Sequence, residues 1–401
     1  MSNLKQLLDG VEVEWKSLGE IGHFIRGSGL VKKDLREQGV SAIHYGQIHT
    51  HYGLSASESL SFVSAKAAKT LKKAQKDDVI IVTTSEILEE VCKPFVWLGE
   101  DDVCVSGETY IFKHKQNPKF IAYCLQTSGF SRYKKKIYTG TKVYRVHKND
   151  LEKFKIPLPS IEVQKDIVRY LDAFSQRTEQ IIEVLNNEIE IRKKQHAYYR
   201  EKVLTFEDEH VEMKTLGEIG QARMCKRILK QQTLDVGEVP FYKIGTFGKQ
   251  ADAFISLDVF NEYRSKYPYP KKGDVLISAS GTIGKTVIFD GKHAYFQDSN
   301  IVWIENDEQE VLNTYLFHFY KIARWDITAG STVPRLYHSN LKRTKISVPT
   351  LDVQHKAVNI LDHLEILFSS IVEELTNEIN VRRKQLAYYR NKLLGCLKTL
   401  A

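Results

Sequence analysis

The chain has 401 residues, of which 42% are hydrophobic and 27% charged, and it carries a formal net charge of +8. Such a composition buries cores and excludes a disordered or fibrous chain, and the length suits two large halves or a few domains. The longest purely aliphatic run, Val79-Ile80-Ile81-Val82, falls far short of the ~20 apolar residues of a membrane span.

Met1 to Gly10 carries no signal-peptide pattern, so a cytoplasmic chain without membrane contact is expected. Five scattered cysteines (Cys92, Cys104, Cys124, Cys225, Cys396) have no Cys-x-x-Cys spacing and read as reduced thiols, forming neither a disulfide frame nor a zinc site.

In chain order, the first element is Val13–Gly22, VEWKSLGEIG, which recurs 198 residues on as Val211–Gly220, VEMKTLGEIG. Repeats set the architecture, and this one opens two copies. The first middle, about residues 23–150, is strand-rich, with Val79–Thr84 its clearest β-branched run. His44, His49 and His51 cluster there without a carboxylate or cysteine at ligand spacing, which reads as a polar loop with no metal.

From Ser131 to Lys148 the chain holds Arg132, Lys134, Lys135, Lys136, Lys142, Arg145 and Lys148, no Asp or Glu, and the interleaved tyrosines Tyr133, Tyr138 and Tyr144 around Thr139-Gly140-Thr141. Lysine and arginine neutralise phosphates, hydroxyls add hydrogen bonds to them, and arginine can fork onto guanine O6 and N7. A merely solvated charge run is the alternative.

Leu151–Pro159 (LEKFKIPLP) closes the copy. Ile161–Leu204 then has no Pro or Gly and a possible Ser160 N-cap, so it predicts one long helix. Ile182, Leu185, Ile189, Arg192, His196, Tyr199 and Val203 step by 3 and 4 as a heptad seam.

The second middle, about 221–340, matches the first only in fragments. His44-Tyr45-Gly46-Gln47-Ile48 lies opposite Phe241-Tyr242-Lys243-Ile244-Gly245, and Asp78–Ile81 opposite Asp274–Ile277. Val275–Ser278, Thr286–Phe289 and Asn300–Ile304 read as strands, with Asp290-Gly291 as a hairpin turn between Thr286–Phe289 and His293–Phe296.

Ala279–Thr286 fits a loose phosphate-loop pattern, but a strand instead of a helix follows Lys285, so a nucleotide site is disfavoured. The basic counterpart has Arg324, Trp325, Thr328–Thr332, Arg335 and Tyr337. Leu341–Pro349 (LKRTKISVP) closes this copy. A second heptad seam of Val372, Leu375, Ile379, Arg382, Leu386, Tyr389 and Leu393 follows in the same register.

The fold class is therefore α+β: two strand-rich domains joined by two long antiparallel coiled-coil helices, with an internal pseudo-two-fold repeat. Neither helix can bury its stripe alone, and the repeat's pseudosymmetry turns the second helix back along the first; two long surface helices packed separately on their own domains are the alternative. Helix–helix packing is expected at Ile182, Leu185, Ile189, Tyr199, Val372, Leu375, Ile379, Leu386 and Tyr389. The boundaries fall at 1–157, 158–205, 206–347 and 348–401. No methyltransferase, lipase or kinase motif occurs, so no catalysis is expected in this chain.

The chain resembles the specificity subunits of type I restriction–modification enzymes. The resemblance rests on Leu18-Gly19-Glu20-Ile21 and its copy, and on Gly273–Ser278 followed by Gly281-Thr282-Ile283-Gly284-Lys285. It rests also on Ala329-Gly330-Ser331-Thr332, and on Ile156–Pro159 leading to Gln164 and Leu171-Asp172, repeated as Val348-Pro349, Gln354 and Leu361-Asp362. In the first copy Thr83-Thr84-Ser85-Glu86 replaces the Ser-Gly-Thr-Ile-Gly-Lys stretch.

The resemblance implies two target-recognition domains, each reading half of a bipartite DNA sequence, with a helical spacer between. Partners would be double-stranded DNA, two modification subunits carrying S-adenosylmethionine for adenine-N6 methylation, and a restriction subunit carrying ATP and Mg. This chain would hold no cofactor.

Candidate DNA contacts are Arg132, Lys134, Lys135, Lys136, Tyr138, Thr139, Thr141, Lys142, Tyr144 and Arg145, with Tyr45 and Gln47, in the first copy. In the second they are Arg324, Trp325, Ser331, Thr332, Arg335 and Tyr337, with Tyr242 and Lys243. A methylation-only or fused system, and a coiled-coil protein adaptor, are the alternative readings.

Overall fold

The computed structural model describes residues 11–206, 211–327 and 334–397. The chain forms two compact units. One holds the residues up to Val184 and those from Asn377 onward; the other is Leu185–Thr376. Helices that join the heads to the long helices include α1 (Pro118–Cys124), α2 (Ser128–Ile137) and α4 (Asn313–Tyr320), and the long helices are α3 (Ile161–Leu204) and α5 (Leu351–Cys396). No helix of the described residues is long and apolar enough to cross a membrane.

The first head has a five-stranded sheet in the order Gly22–Arg26, Thr109–His114, Val79–Val82, Pro94–Trp97, Ser55–Ala56, beside a four-stranded one. The second has Gln221–Met224, Ile301–Glu305, Val275–Ser278, Thr286–Ile288, beside a three-stranded one. Val79–Val82 and Val275–Ser278 are buried along their whole length, which is why Val79–Val82 and Val275–Ile277 read as unbroken apolar runs.

The hairpin expected around Asp290-Gly291 does not form. Thr286–Ile288 pairs back on Val275–Ser278, and Tyr295–Phe296 joins the other sheet, parallel to Val239–Tyr242. Gly291 does turn the chain, at φ +85°, but Phe289 and Tyr295 go into a separate core that closes over the second sheet.

The repeated sequence frames meet at the neck of each head. Glu14–Ser17 pairs antiparallel with Lys155–Leu158, and Glu212–Thr215 pairs with Lys345–Val348 in the same register. The carboxylates of Glu20 and Glu218 accept the backbone N–H of Ser17 and Thr215, one capping box per copy. Gln164 and Gln354 are fully buried beside the necks. Each Oε1 accepts the N–H that opens the head's helix, Asn117 or Leu312, and each Nε2 donates to the carbonyl of Pro159 or Pro349.

Helix α3 has 44 residues and α5 has 46, so each is about 65–70 Å long. In the second unit His196 stacks on Phe368 at 4.4 Å, and one turn on Arg200 pairs with Glu365. As α3 advances, its partner on α5 recedes, so the helices run antiparallel. In the first unit Phe174 of α3 meets Tyr389 of α5 edge-on at 5.2 Å.

Ile379 is buried, and Ile182, Leu185, Ile189, Val372, Leu375 and Leu386 are half-buried. Tyr199 departs from the expected seam: it is 50% exposed, its ring against Tyr198 of its own helix, and Arg200 takes the inward place. The 3.6-residue period drifts from a strict heptad, and an arginine with a carboxylate to meet can occupy the seam.

The Leu-Asp motifs fasten heads to helices. The carboxylate of Asp172 accepts from Tyr123 and pairs with Lys119, both on α1; Asp362 lies 2.9 Å from Nε2 of His318 on α4. Burial pushes the His318 imidazole below its usual range, against the pull of Asp362. Neutral His318 therefore stabilises the second unit above the unfolded-state histidine pKa, near 6.5, and this stability is lost as pH falls through the lower folded value. His318→Tyr, which copies Tyr123, should lower the loss of denaturant midpoint between about pH 7 and pH 5. An equal loss in both proteins would assign the acid sensitivity to other groups.

Candidate nucleic-acid interface

In the first head the basic stretch folds as α2, a loop and a short strand. Thr127 caps α2 by accepting from the Phe130 N–H, which brings Arg132, Lys135 and Lys136 to its exposed side. Arg132 borders a cavity of about 310 Å3 with Trp15, Lys155 and Asn391, at the neck.

Lys134 points inward. It is 6% exposed, and its Nζ donates to the carbonyls of Glu89 and Val91 at 2.7 Å each. Burial pulls its ammonium below the usual lysine range, with the Cys92 thiol and Glu89 pulling the other way. This lysine is a strut under the head, its ammonium turned away from solvent.

The loop after α2 draws the remaining candidates together. Thr139 and Arg145 exchange backbone hydrogen bonds, Tyr138 and Tyr144 meet edge-on at 5.2 Å, and Tyr144–Arg145 pairs antiparallel with Thr84–Ser85. Gly140 sits at φ +91°, where a Cβ would lie 2.2 Å from the Val143 carbonyl, so the turn requires glycine. Thr141, Lys142 and Arg145 are exposed on it.

The stretch that replaces Ser-Gly-Thr-Ile-Gly-Lys thus supplies an equivalent pairing edge. In the second head the bridge is Ser280 with Arg335. Arg145 and Arg335 therefore occupy matching places.

Around Arg335 the second head forms a cleft of about 630 Å3, lined also by Arg227, Lys230, Lys243, Gln297 and Asn300. Lys243 pairs with Asp252 at 2.9 Å and Arg227 with Asp298 at 3.0 Å. Arg335 donates instead to the neutral side chain of Asn300. Tyr337 is exposed two residues on.

Trp325 is packed. Its indole nitrogen lies where a Cβ on Gly284 would stand, at 2.5 Å, and its ring rests 5.7 Å from that of Tyr320. Arg324 is solvent-facing and 3.6 Å from Glu201 on α3. Ser331 and Thr332, with the rest of the Thr328–Thr332 motif, lie outside the described residues.

The paired fragments match, but two residues off the alignment read from sequence. His44 follows Val40–Ile43 as Lys243 follows Val239–Tyr242. The N–H of His44 donates to Gln47 and that of Lys243 to Thr246, each three residues on. Gln47 is tied down by this cap and by Ser61; Tyr45 leans on His44, and Tyr242 on Phe296.

Ala279–Thr286 is a strand connection whose Lys285 binds the Phe247 carbonyl. His44 is a cap, and among the described residues no cluster of metal ligands occurs. Arg227, Lys230, Gln297 and Asn300 had no periodic signal; strand pairings far apart in sequence converge them.

A family model described as the type I restriction modification DNA specificity domain matches twice, at residues 10–191 and 208–381. The chain belongs to this specificity family. A Haemophilus influenzae protein named as a type I restriction enzyme specificity subunit is 43% identical, over 98% of each chain. The specificity subunit of an Escherichia coli type I restriction enzyme is 28% identical over 98% of this chain and 97% of its own.

A solved chain from work on complex assembly and conformational transition of a type I R-M system shares the fold. Its TM-score is 0.73 at 15% identity, covering 95% of this chain and 97% of that one. Both matches of the specificity model end inside a long helix, α3 or α5, so each takes in one head, its neck and the buried glutamine beside it.

Lys134→Met should cost the first head about 1–3 kcal/mol by leaving the buried Val91 carbonyl and the part-buried Glu89 carbonyl without their donor. Lys135→Ala and Lys136→Ala should stay within about 0.5 kcal/mol of the parent. Denaturant unfolding measures all three, and a neutral Lys134→Met would remove its structural role.

Proposed function

We propose that this chain is the DNA sequence-recognition subunit of a type I restriction–modification complex, and that each head reads one half of a bipartite target. One observation carries this reading. Two heads with the same neck, capping box and glutamine clamp present an arginine at the same place, Arg145 or Arg335, among different neighbours. A common frame with unlike surfaces is what two independent readers need, and the family match supplies DNA as the ligand.

The functional division follows the neck: recognition regions 1–157 and 206–347, helical regions 158–205 and 348–401. Exposed residues of the recognition regions, Arg132, Lys135, Lys136, Lys142 and Arg145 among them, contact phosphates and bases. The chain itself performs no catalysis. Two modification subunits supply S-adenosylmethionine and adenine-N6 methylation, and a restriction subunit supplies ATP- and Mg-dependent cleavage.

The helical regions set the spacing between half-sites and dock the modification subunits. Each unit has an apolar pair suited to such docking. Ile191 and Tyr198 are 49% and 58% exposed on α3, and their repeat equivalents Val381 and Tyr388 are 44% and 57% exposed on α5. Matched patches on a pseudo-two-fold frame fit two copies of one partner.

Replacing residues 23–150 with those of a relative should exchange one half of the target and leave the other intact. Methylated-adenine mapping of a host carrying the complex reads this directly. Exchange of both halves would end the idea of separate readers. Adding one heptad to both α3 and α5 should lengthen the preferred spacer; an unchanged spacer would place the ruler elsewhere.

A further inference from the structure

We propose that Asn300 is a positioning residue for base readout: held by Ser280, it aims the Arg335 guanidinium at a guanine of the half-site read by the second head. The inference rests on the recognition role proposed above and adds a named device and a named base to it.

Asn300 Oδ1 accepts two hydrogen bonds, from Ser280 Oγ at 2.8 Å and from an Arg335 Nη at 3.0 Å. A carboxamide oxygen has two acceptor sites, so both are filled and the amide's orientation is set. Ser280 is 6% exposed, which anchors the pair in the body of the head.

The backbone holds the same three segments together. The N–H of Ala279 donates to the Asn300 carbonyl at 2.7 Å, and that of Leu336 donates to the Ala279 carbonyl at 2.8 Å. Ser299 enters this junction in the left-handed region at φ +54°, an uncommon conformation for a residue with a side chain, and it directs Asn300 toward Arg335.

The chemistry of the partner matters. Arg227 and Lys243, in the same cleft, lie against carboxylates. Asn300 is neutral, so it orients Arg335 and leaves its charge whole. Among the described residues one of the five guanidinium donors is used, and those remaining can fork onto O6 and N7 of guanine. An arginine already ordered loses less rotamer freedom when it binds. In the first head Arg145 is exposed, and its side chain makes no ion pair or hydrogen bond among the described residues. The clamp belongs to the second head.

The test uses the full chain and a library of duplexes with randomised positions, from which bound sequences are recovered and counted. Arg335→Ala should lower the preference for guanine at one position by about 10- to 100-fold. Asn300→Ala should lower it at that same position by about 3- to 10-fold and leave the other positions unchanged. Asn300→Asp keeps both acceptor sites but sets a carboxylate against the guanidinium, so it should retain the guanine preference at that position while weakening binding to all sequences, and Ser280→Ala should give a smaller loss at the same position. Ser280→Ala also carries the test if Asn300→Ala does not fold.

If Asn300→Ala and Ser280→Ala leave the preference intact, or weaken all sequences equally while Arg335→Ala stays selective, the clamp is wrong and the readout stands. A uniform loss for Arg335→Ala would overturn base readout by that residue. A parent chain that enriches no sequence would overturn the recognition role together with the clamp.

Discussion

Each head is fastened to the helix that leaves it through one buried side-chain amide. Gln164 and Gln354 cap the first turn of a head helix with Oε1 and grip the proline carbonyl before the long helix with Nε2. A buried amide without partners costs about 1–3 kcal/mol, so this geometry is held in one orientation. The antiparallel neck strands and the Leu-Asp contacts add to it. The result is a rigid exit angle for each long helix, and that rigidity lets a sequence-reading surface keep a defined relation to the helix bearing it.

Above the neck the two copies part company. In each, a buried central strand leads into an edge that pairs with an arginine-bearing segment, but the edges differ: Thr84–Ser85 in one, Ser280 in the other. The surroundings differ as well. Arg145 is exposed on a glycine-dependent loop, and Arg335 lies in a cleft with an amide beside it. A reader of DNA gains from this separation, because the necks can stay alike as the reading surfaces diverge.

Charge alone does not place Lys134. Lys134 sits among lysines of the same helix yet faces two carbonyls inside the head, because the helix period turns every third or fourth side chain toward the core. Trp325 is half-buried, its indole nitrogen against Gly284 and its ring against Tyr320. Asn300, which carries no charge, accepts a hydrogen bond from Arg335. A basic run locates a surface, and long-range packing decides which of its members reach solvent.

What could be read from the residues alone was whatever short-range order encodes. The two long helices followed from a stretch without Pro or Gly and from 3- and 4-residue steps. The repeat followed from two similar frames, and the reader class from motifs in a fixed order. Helix periodicity is a local property, and so survives in one dimension. Strand partners are not local. Thr286–Ile288 turned back on Val275–Ser278 while Tyr295–Phe296 crossed to another sheet, and only the burial of Phe289 and Tyr295 in a second core separates that from a hairpin. The inward face of Lys134, the outward place of Tyr199 and the meeting of Ser280, Asn300 and Arg335 were likewise tertiary outcomes, since each depends on groups brought close by folding and distant along the chain.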